Sequence, residues 1–270
     1  MNAITQKTHF SLAPLPVTFP DGATRTFWFD GNSKITRSNG TFAAPRPNAF
    51  SLLHVADCPA ATPICKSACY VHRLEASEWN VYEKYRINSA AIREAEQDAE
   101  ALFFLIIPFA AWIRENCAGG FRWHVSGDIF SEKYARFIRW VCACAREVPF
   151  WIYTRSFQFV PMLAHSPNLV VNLSADRDNW AWALDLHWQY GLRICYMTVD
   201  GAVPDLPDGS VIFPSHELRG RGLERPTDAP WWQSLSPRLR RMVCPPDFFG
   251  QSEHLRCGPC RKCLVPWRAT

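Results

Sequence analysis

Cysteine is the residue type whose number and spacing in this chain most clearly indicate chemistry. Three of the eleven cysteines, Cys58, Cys65 and Cys69, lie within twelve residues of one another in a segment that contains two prolines. A loop lets successive thiolates turn towards one centre, whereas a regular helix or strand would direct them apart. Three thiolates can hold a [4Fe-4S] cubane and leave one iron free for a substrate or cofactor. The segment therefore predicts a catalytic iron–sulfur site.

Two other interpretations of this first group remain open. His72 could join the three thiols in a closed Cys3His zinc site. Alternatively, Cys65 and Cys69 could face the core as small apolar side chains. The spacing and the loop context favour iron.

A second group of cysteines lies near the C-terminus. Cys257, Cys260 and Cys263 are separated by two residues each, and Cys244 lies further back, followed directly by a proline. A compact triplet with a remote Cys-Pro is the ligand pattern of ferredoxin-like four-iron sites. Four thiolates also suit tetrahedral zinc, but the absence of a second Cys-x-x-Cys pair favours an auxiliary [4Fe-4S] cluster.

The remaining four cysteines are predicted to pack in the interior. Cys117 follows a predicted helix, Cys142 and Cys144 lie within one, and Cys195 lies in a predicted buried strand. A free cysteine in such a position behaves as a small apolar side chain.

The elements that must position these groups alternate between short apolar runs and segments of helical period. From Phe50 onwards this alternation predicts βα units and a parallel sheet. Strands are predicted at 51–55, 122–126, 150–154, 169–173, 194–198 and 211–214, and helices at 78–96, 98–116, 132–146, 157–165 and 179–189. Ser131 and Asp178 are expected to begin two of these helices, and Gly191 to end one.

The expected fold class is α/β, with a partial or irregular (βα)6 TIM-like barrel over residues 50–215. Residues 1–49 contain turn signals between short aromatic and β-branched runs, which predicts a β-hairpin or meander. The turn signals are Pro20-Asp21-Gly22, Asp30-Gly31-Asn32 and Asn39-Gly40. Residues 216–270 are expected to form a basic, cysteine-rich, metal-binding extension.

Small or polar residues follow most of the predicted strands. In parallel barrels these C-terminal strand ends converge on one ligand site, so a shared site is expected there. Arg155 could clamp a carboxylate or phosphate, and Asn172 and Asp176 could hold a ribose or another polar group. His124 could serve as an acid or base or be a core histidine. Each strand-end residue could instead be only a helix cap or a turn.

A three-cysteine loop after the first strand, followed by Ser126-Gly127-Asp128 at the end of the second, resembles the radical S-adenosylmethionine (SAM) superfamily. By position, the resemblance implies that Asp128 binds the amino group of SAM. The intervals of six and three residues between the first cysteines are longer than the superfamily's, and Tyr70 follows the last ligand instead of preceding it. The candidate cofactor-binding residues are Tyr70, Ser126, Gly127, Asp128, Asn172, Ser174 and Asp176, and the candidate catalytic residues are His124, Asp128 and Arg155.

A narrower resemblance is carried by three segments. Cys-Pro…Cys…Cys-Tyr from Cys58, His-Val-Ser-Gly-Asp-Ile-Phe-Ser from His124 and Tyr-Thr-Arg-Ser from Tyr153 are similar to a phage and plasmid family named after gene product 88. That resemblance implies no particular biochemical role.

The length and composition of the chain limit the classes of protein to which it can belong. At 270 residues with 48% hydrophobic content, the chain can bury a sizeable core without disulfides. The first residues lack the features of a secretory signal and no apolar stretch is long enough to span a membrane, so a soluble cytoplasmic protein without a membrane partner is expected. In a reducing compartment, closely spaced thiols more often bind metal than form disulfides.

The charge is concentrated near the C-terminus, where residues 216–270 carry ten Lys and Arg against five Asp and Glu. Arg256, Arg261 and Lys262 flank the second group of cysteines, where they could stabilise an anionic cluster, contact a nucleic-acid backbone or simply be solvated.

We therefore expect an iron–sulfur redox enzyme of the radical SAM type that acts on an unidentified substrate. It would require an electron donor such as a flavodoxin or ferredoxin. The alternative is a non-enzymatic protein of a mobile element that binds nucleic acid. Its fold would be stabilised by metal bound at zinc or iron–sulfur sites.

Overall fold

One eight-stranded sheet organises the chain in the computed structural model, which describes residues 12–31, 46–77, 79–219, 223, 225–249 and 257–266. Its strands are β1 (Ala13–Thr18), β2 (Thr24–Asp30), β3 (Ala49–Phe50), β4 (Phe121–Trp123), β5 (Phe150–Thr154), β6 (Leu169–Ala175), β7 (Arg193–Thr198) and β8 (Val211–Pro214). Strands that follow one another in the chain are neighbours in the sheet. The pairs β1–β2 and β2–β3 are antiparallel, and all pairs from β3 to β8 are parallel. Within the described residues no pairing joins β1 to β8, so the sheet is open and not a closed barrel.

Helices fill most of the connections between the parallel strands. They are α1 (Pro63–Ser67), α2 (Val71–Ser77), α3 (Trp79–Gln97), α4 (Ala99–Phe104), α5 (Ile106–Asn116), α6 (Glu132–Cys144), α7 (Val160–Leu163), α8 (Trp180–Tyr190), α9 (Pro230–Ser234), α10 (Pro237–Met242), α11 (Pro245–Phe248) and α12 (Cys257–Cys260). The mixed α/β class predicted from the sequence is therefore confirmed. In the part of the chain that is described, no helix has the length and apolar character needed to cross a membrane.

Several predicted helix boundaries are confirmed by their caps. The Ser131 hydroxyl accepts the Tyr134 amide at 3.1 Å at the start of α6, and Gly191 ends α8 in the left-handed conformation. The helix predicted at 98–116 is divided into α4 and α5, which meet at Leu105. The helix predicted at 157–165 is shorter, since a 3-10 turn precedes α7.

The N-terminal hairpin is confirmed at the first turn signal. Phe19 and Ala23 close the turn through a backbone hydrogen bond of 2.9 Å, and Gly22 adopts a φ of 82° that favours glycine. Because β2 also pairs with β3, the hairpin continues the parallel sheet. The predicted turn at Asn39-Gly40, and Asn32, lie outside the described residues.

The strand predicted at 51–55 is wrong in position, since the strand lies just before it, at Ala49–Phe50, and the strand predicted at 122–126 ends at Trp123. After β3, the amides of Leu53 and His54 donate to side chains of α3 and α2 instead of to a neighbouring strand. After β4, His124 takes a φ of 61°, which ends the extended conformation. The segments after β3 and β4 therefore leave the sheet as loops, and these loops carry the candidate site.

The two faces of the sheet bury different partners. Alternate strand residues such as Trp123, Ile152 and Ile194 pack in the main core with the helices. The opposite face, which we call the inner face, carries residues such as Trp151 and Cys195. It packs against side chains of the C-terminal segment, namely Cys244, Cys257, Cys263 and Leu264.

Candidate metal centres

The first group of cysteines lies on the loop that follows β3. Cys58 is in the loop itself, Cys65 is in α1, and Cys69 precedes α2, and all three are partly buried. Burial is the main cause that raises the pKa of each thiol, and Cys65 and Cys69 raise the pKa of Cys58 further. The three thiols are thus close enough to interact electrostatically.

A buried hydrogen-bond network ties this loop to the ends of β5 and β6. The Thr62 hydroxyl caps α1 by accepting the Cys65 amide at 3.0 Å, and it donates to the Asp176 carboxylate at 2.5 Å. Arg155 donates to the same carboxylate oxygen at 2.6 Å. The Arg155 and Asp176 side chains are 7% and 0% exposed. The position of Cys65 is therefore set by two strands distant in sequence.

Positive charge and amide donors face the thiols of this loop. The Arg155 guanidinium opposes the increase that burial causes in the pKa of Cys65 and Cys69. The backbone amides of Val71 and His72 also lower the pKa of Cys69 by hydrogen bonding to its sulfur. Such groups stabilise a thiolate, which is the form that binds metal.

Asp128, the residue expected to hold the amino group of SAM, is engaged within the protein. One carboxylate oxygen accepts the Thr154 hydroxyl at 2.7 Å and the Ile129 amide at 2.8 Å. The other accepts the amides of Arg155 at 2.8 Å and Ser156 at 3.2 Å. Burial raises the pKa of Asp128, and these hydrogen bonds oppose the increase. The carboxylate therefore joins the end of β4 to the end of β5.

The neighbouring candidate residues have similar internal contacts. The Ser126 hydroxyl donates to Glu75 at 3.4 Å, and the Tyr70 hydroxyl donates to the Val125 carbonyl at 2.5 Å. Gly127 has a φ of 79°, and a Cβ atom there would lie 2.6 Å from Cβ of Leu52. This glycine is required for close packing between the loops after β3 and β4.

His124 lies away from the thiols, on the helix side of the sheet. It is buried, and its Nε2 atom lies 2.9 Å from the Tyr134 hydroxyl on α6. Burial, together with the charge of Arg122, lowers the pKa of His124 to about 3. The structure therefore places a neutral imidazole in the core and does not bring it to the candidate site.

His72, the possible zinc ligand, pairs with another histidine. Its Nδ1 atom lies 2.9 Å from Nε2 of His54, whose other ring nitrogen contacts the Glu75 carboxylate. In the ranges that the structure describes, no three Cys, His, Asp or Glu side chains are arranged to hold a single metal ion.

The second group of cysteines lines one small pocket together with Tyr153. Cys244, Cys257 and Cys263 are buried there, whereas Cys260 is exposed. Hydrogen bonds fix the described part of the segment to the inner face. The Cys244 amide donates to Ile212, Asn172 donates to the Cys263 carbonyl, and Arg193 donates to the Val265 carbonyl, at 2.9, 3.1 and 2.9 Å respectively.

Two predicted cofactor-binding residues therefore belong to this inner face. Asn172 holds the second cysteine segment, and Ser174 pairs in register with Cys195 of the next strand. Asp176, which directly follows β6, instead contacts the first cysteine loop by accepting the Thr62 hydroxyl.

Cys195, which the sequence analysis assigned to packing, is buried on the inner face as expected. It lies in the same buried cluster as Cys244 and Cys263. The helix-facing neighbours Ile194 and Tyr196 give the signal that identifies it, because strand residues alternate between the two faces. Cys195 therefore faces the same side as the C-terminal cysteines.

Arg122 packs against a residue of the second cysteine site. Its guanidinium lies 4.7 Å from the centre of the Tyr153 ring, and Tyr153 lines the pocket of the second group. The charge of Arg122 therefore lies next to this pocket.

The fold and the sites together define an α/β protein with an open, mostly parallel sheet and two cysteine-lined candidate metal centres. The family model for Gene product 88 matches residues 25–266, and the chain belongs to that family. The predicted similarity to the gene product 88 family is thereby confirmed.

Two phage proteins are among the relatives. The Gene 88 protein of Mycobacterium phage L5 is 30% identical over 175 residues, which cover 62% of this chain and 69% of the relative. The Gene 88 protein of Mycobacterium phage D29 is 28% identical over 192 residues, which cover 68% of this chain and 74% of the relative. No solved structure matches the chain.

Proposed function

We propose that this protein is an iron–sulfur redox enzyme in which Cys58, Cys65 and Cys69 hold a [4Fe-4S] cluster with one open iron position. The observation that carries the proposal is the position of these three partly buried thiols on one loop, facing the buried guanidinium of Arg155. Positive charge and amide donors near the sulfurs offset the negative charge of a thiolate cluster.

The donor set fits a cluster with an open iron. Three cysteine thiols can each bind a different iron of a cubane and leave the fourth iron open, whereas a closed zinc site needs a fourth ligand. His72, the residue that could supply that ligand, lies with its Nδ1 atom 2.9 Å from Nε2 of His54.

A cluster at this position would supply one-electron chemistry and a coordination position for a small ligand. The chain's own groups position it. Thr62, Asp176 and Arg155 fix the loop, and Arg155 supplies a positive charge. The C-terminal cysteines would hold an auxiliary cluster, and a flavodoxin or ferredoxin would supply electrons from outside.

The residues predicted to bind SAM do not fit that role as expected. Both oxygens of Asp128 accept hydrogen bonds from the protein, and Asn172 holds the second cysteine segment. His124, which was predicted to be catalytic, lies in the core. The proposal therefore gives Asp128 a positioning role and assigns it no contact with SAM. The radical SAM-type chemistry in the proposal is supported by the three-cysteine loop and by the position of that loop after the first parallel strand.

We also propose that β3 to β8 form a partial (βα)6 barrel. Six parallel strands in chain order are the strand order of such a barrel. The inner face, covered by the C-terminal segment, would be its interior.

The test is the metal content of protein purified without oxygen. Iron and acid-labile sulfide in equal amounts, with little zinc, are expected for the wild type. The triple variant Cys58→Ser, Cys65→Ser, Cys69→Ser should lose the iron of the first site. Cys142→Ser, which changes a buried cysteine of α6, is the control and should keep all of it. Colourless protein containing only zinc would contradict the proposal.

The rival function is a metal-stapled nucleic-acid-binding protein, and the basic C-terminal region is its support. Part of that charge is already paired, because Arg238 contacts Asp205 and Asp208. Arg261 is exposed beside Cys260. Binding to duplex DNA or single-stranded RNA that weakens steeply with salt, together with two zinc ions per chain, would favour this function instead.

A further inference from the structure

We infer that Cys195 is a ligand of the second metal centre, in the place that the sequence spacing gives to Cys260. The inference rests on the proposed function, since it requires that the C-terminal cysteines bind metal. The observation behind this inference is that the fold buries four thiols together and leaves Cys260 exposed.

Four thiols are buried at the inner face of the sheet. Cys195, Cys244, Cys257 and Cys263 are 2%, 7%, 9% and 9% exposed, and they pack in one cluster with apolar side chains. The cluster includes Trp151, Val211 and Leu264, which exclude water from the sulfurs. Thiolate ligands of structural and redox metal sites are commonly shielded in this way.

Cys195 and Cys263 belong to the same buried cluster of side chains on the inner face. Cys244 and Cys257 belong to it too, so the strand cysteine is buried together with three members of the C-terminal group. A metal bound between these groups would join β7 to the segment that covers it.

Cys260 has the opposite environment. It lines the pocket but is exposed, at the end of the short helix α12. Hydrogen bonds of Cys244, Cys263 and Val265 fix the segment to the sheet on either side of α12 in the chain. The fold thus holds four thiols inward and leaves Cys260 accessible.

The decisive experiment isolates the second centre in the full chain. The background carries Cys58→Ser, Cys65→Ser and Cys69→Ser, and each of Cys195→Ser, Cys260→Ser and Cys142→Ser is added separately. Iron, sulfide and zinc per chain and the visible absorption spectrum are measured on protein shown to be folded by circular dichroism. We expect Cys195→Ser to lose most of the metal, and Cys260→Ser and Cys142→Ser to keep the amount found in the background.

Retention of metal by Cys195→Ser, or its loss in Cys260→Ser, would overturn the inference. A background protein that carries no metal would instead contradict the proposed function, so the two failures are distinguishable. A second measurement avoids substitution at Cys195. In the metal-loaded background, Cys260 should react with an alkylating reagent as fast as the exposed Cys144, and protection of Cys260 that a chelator removes would overturn the inference.

Discussion

Arg155 and Asp176 form a buried ion pair, with the Arg155 Nη1 atom 2.6 Å from an Asp176 carboxylate oxygen. The same oxygen accepts the hydroxyl of Thr62, which caps the helix that contains Cys65. One carboxylate at the end of β6 therefore holds both the charge that faces the thiols and the loop that presents them.

Replacing Asp176 tests this arrangement. Asp176→Asn leaves a buried guanidinium without its counter-charge, a change that costs about 3–5 kcal/mol in comparable pairs. We expect the free energy of unfolding, measured with urea, to fall by about that amount, and the iron content of the first site to fall with it. The control is Arg177→Gln, which removes an exposed pair with Asp200 at 3.6 Å and should cost less than about 1 kcal/mol. Equal, small effects of both changes would contradict the account.

Gly127 offers a test of how the loops at the strand ends pack. Gly127→Ala would place a Cβ atom 2.6 Å from that of Leu52 and would force alanine to a φ of 79°. Gly22 is the matched control, because its φ is 82° and nothing lies within 4 Å of the added atom. We expect Gly22→Ala to cost about 1–2 kcal/mol from the backbone alone, and Gly127→Ala to cost a further 1–3 kcal/mol, roughly, from overpacking. Thermal and urea unfolding measure both, and equal costs would show that the Leu52 contact does not constrain the turn.

Asp30 gives the protein a pH dependence. Burial raises its pKa from 3.8 to about 6, although Tyr85 and Ser51 donate to the carboxylate. Between these pH values the folded chain binds a proton that the unfolded chain has released, so the stabilising contribution is present at low pH and is lost as pH rises through about 6. Asp30→Asn should therefore increase stability at pH 7, by up to about 3 kcal/mol, and flatten the dependence from pH 4 to 6. Urea unfolding across this range measures it, and an equally steep dependence in the variant would contradict the assignment to Asp30.

The sequence was sufficient to predict the secondary structure where apolar runs are bounded by turn residues. The strands Phe150–Thr154 and Val211–Pro214 match their predicted bounds, and Ser131 and Gly191 bound their helices as expected. These features depend on local chemistry, which a pattern of residue types records.

The role of the strand-end residues depends on contacts that no local pattern shows. Asp128 looked available for a ligand, but the amides that engage it belong to Arg155 and Ser156 after the next strand. Cys195 packs in the interior as predicted, but its cluster includes Cys263, which is far away in the sequence. Side-chain direction at a site is decided by tertiary pairing, and strand periodicity alone gives only the face.

SAM addition tests the radical-type part of the proposal. In protein that lacks the second centre through Cys244→Ser and Cys257→Ser, only the first cluster should contribute to the electron paramagnetic resonance spectrum after reduction. If one iron has an open position, SAM should change that spectrum, because a new ligand alters the iron's electronic environment. The added variant Cys65→Ser should give no cluster signal in either case. An unchanged spectrum would remove SAM chemistry from the proposal and leave electron transfer.

The most direct measurement of the central claim is anomalous scattering at the iron edge from crystals of the protein grown without oxygen. We predict one iron–sulfur density bonded to the Sγ atoms of Cys58, Cys65 and Cys69, near the Arg155 guanidinium. Three separated thiols with no anomalous density between them would contradict the claim.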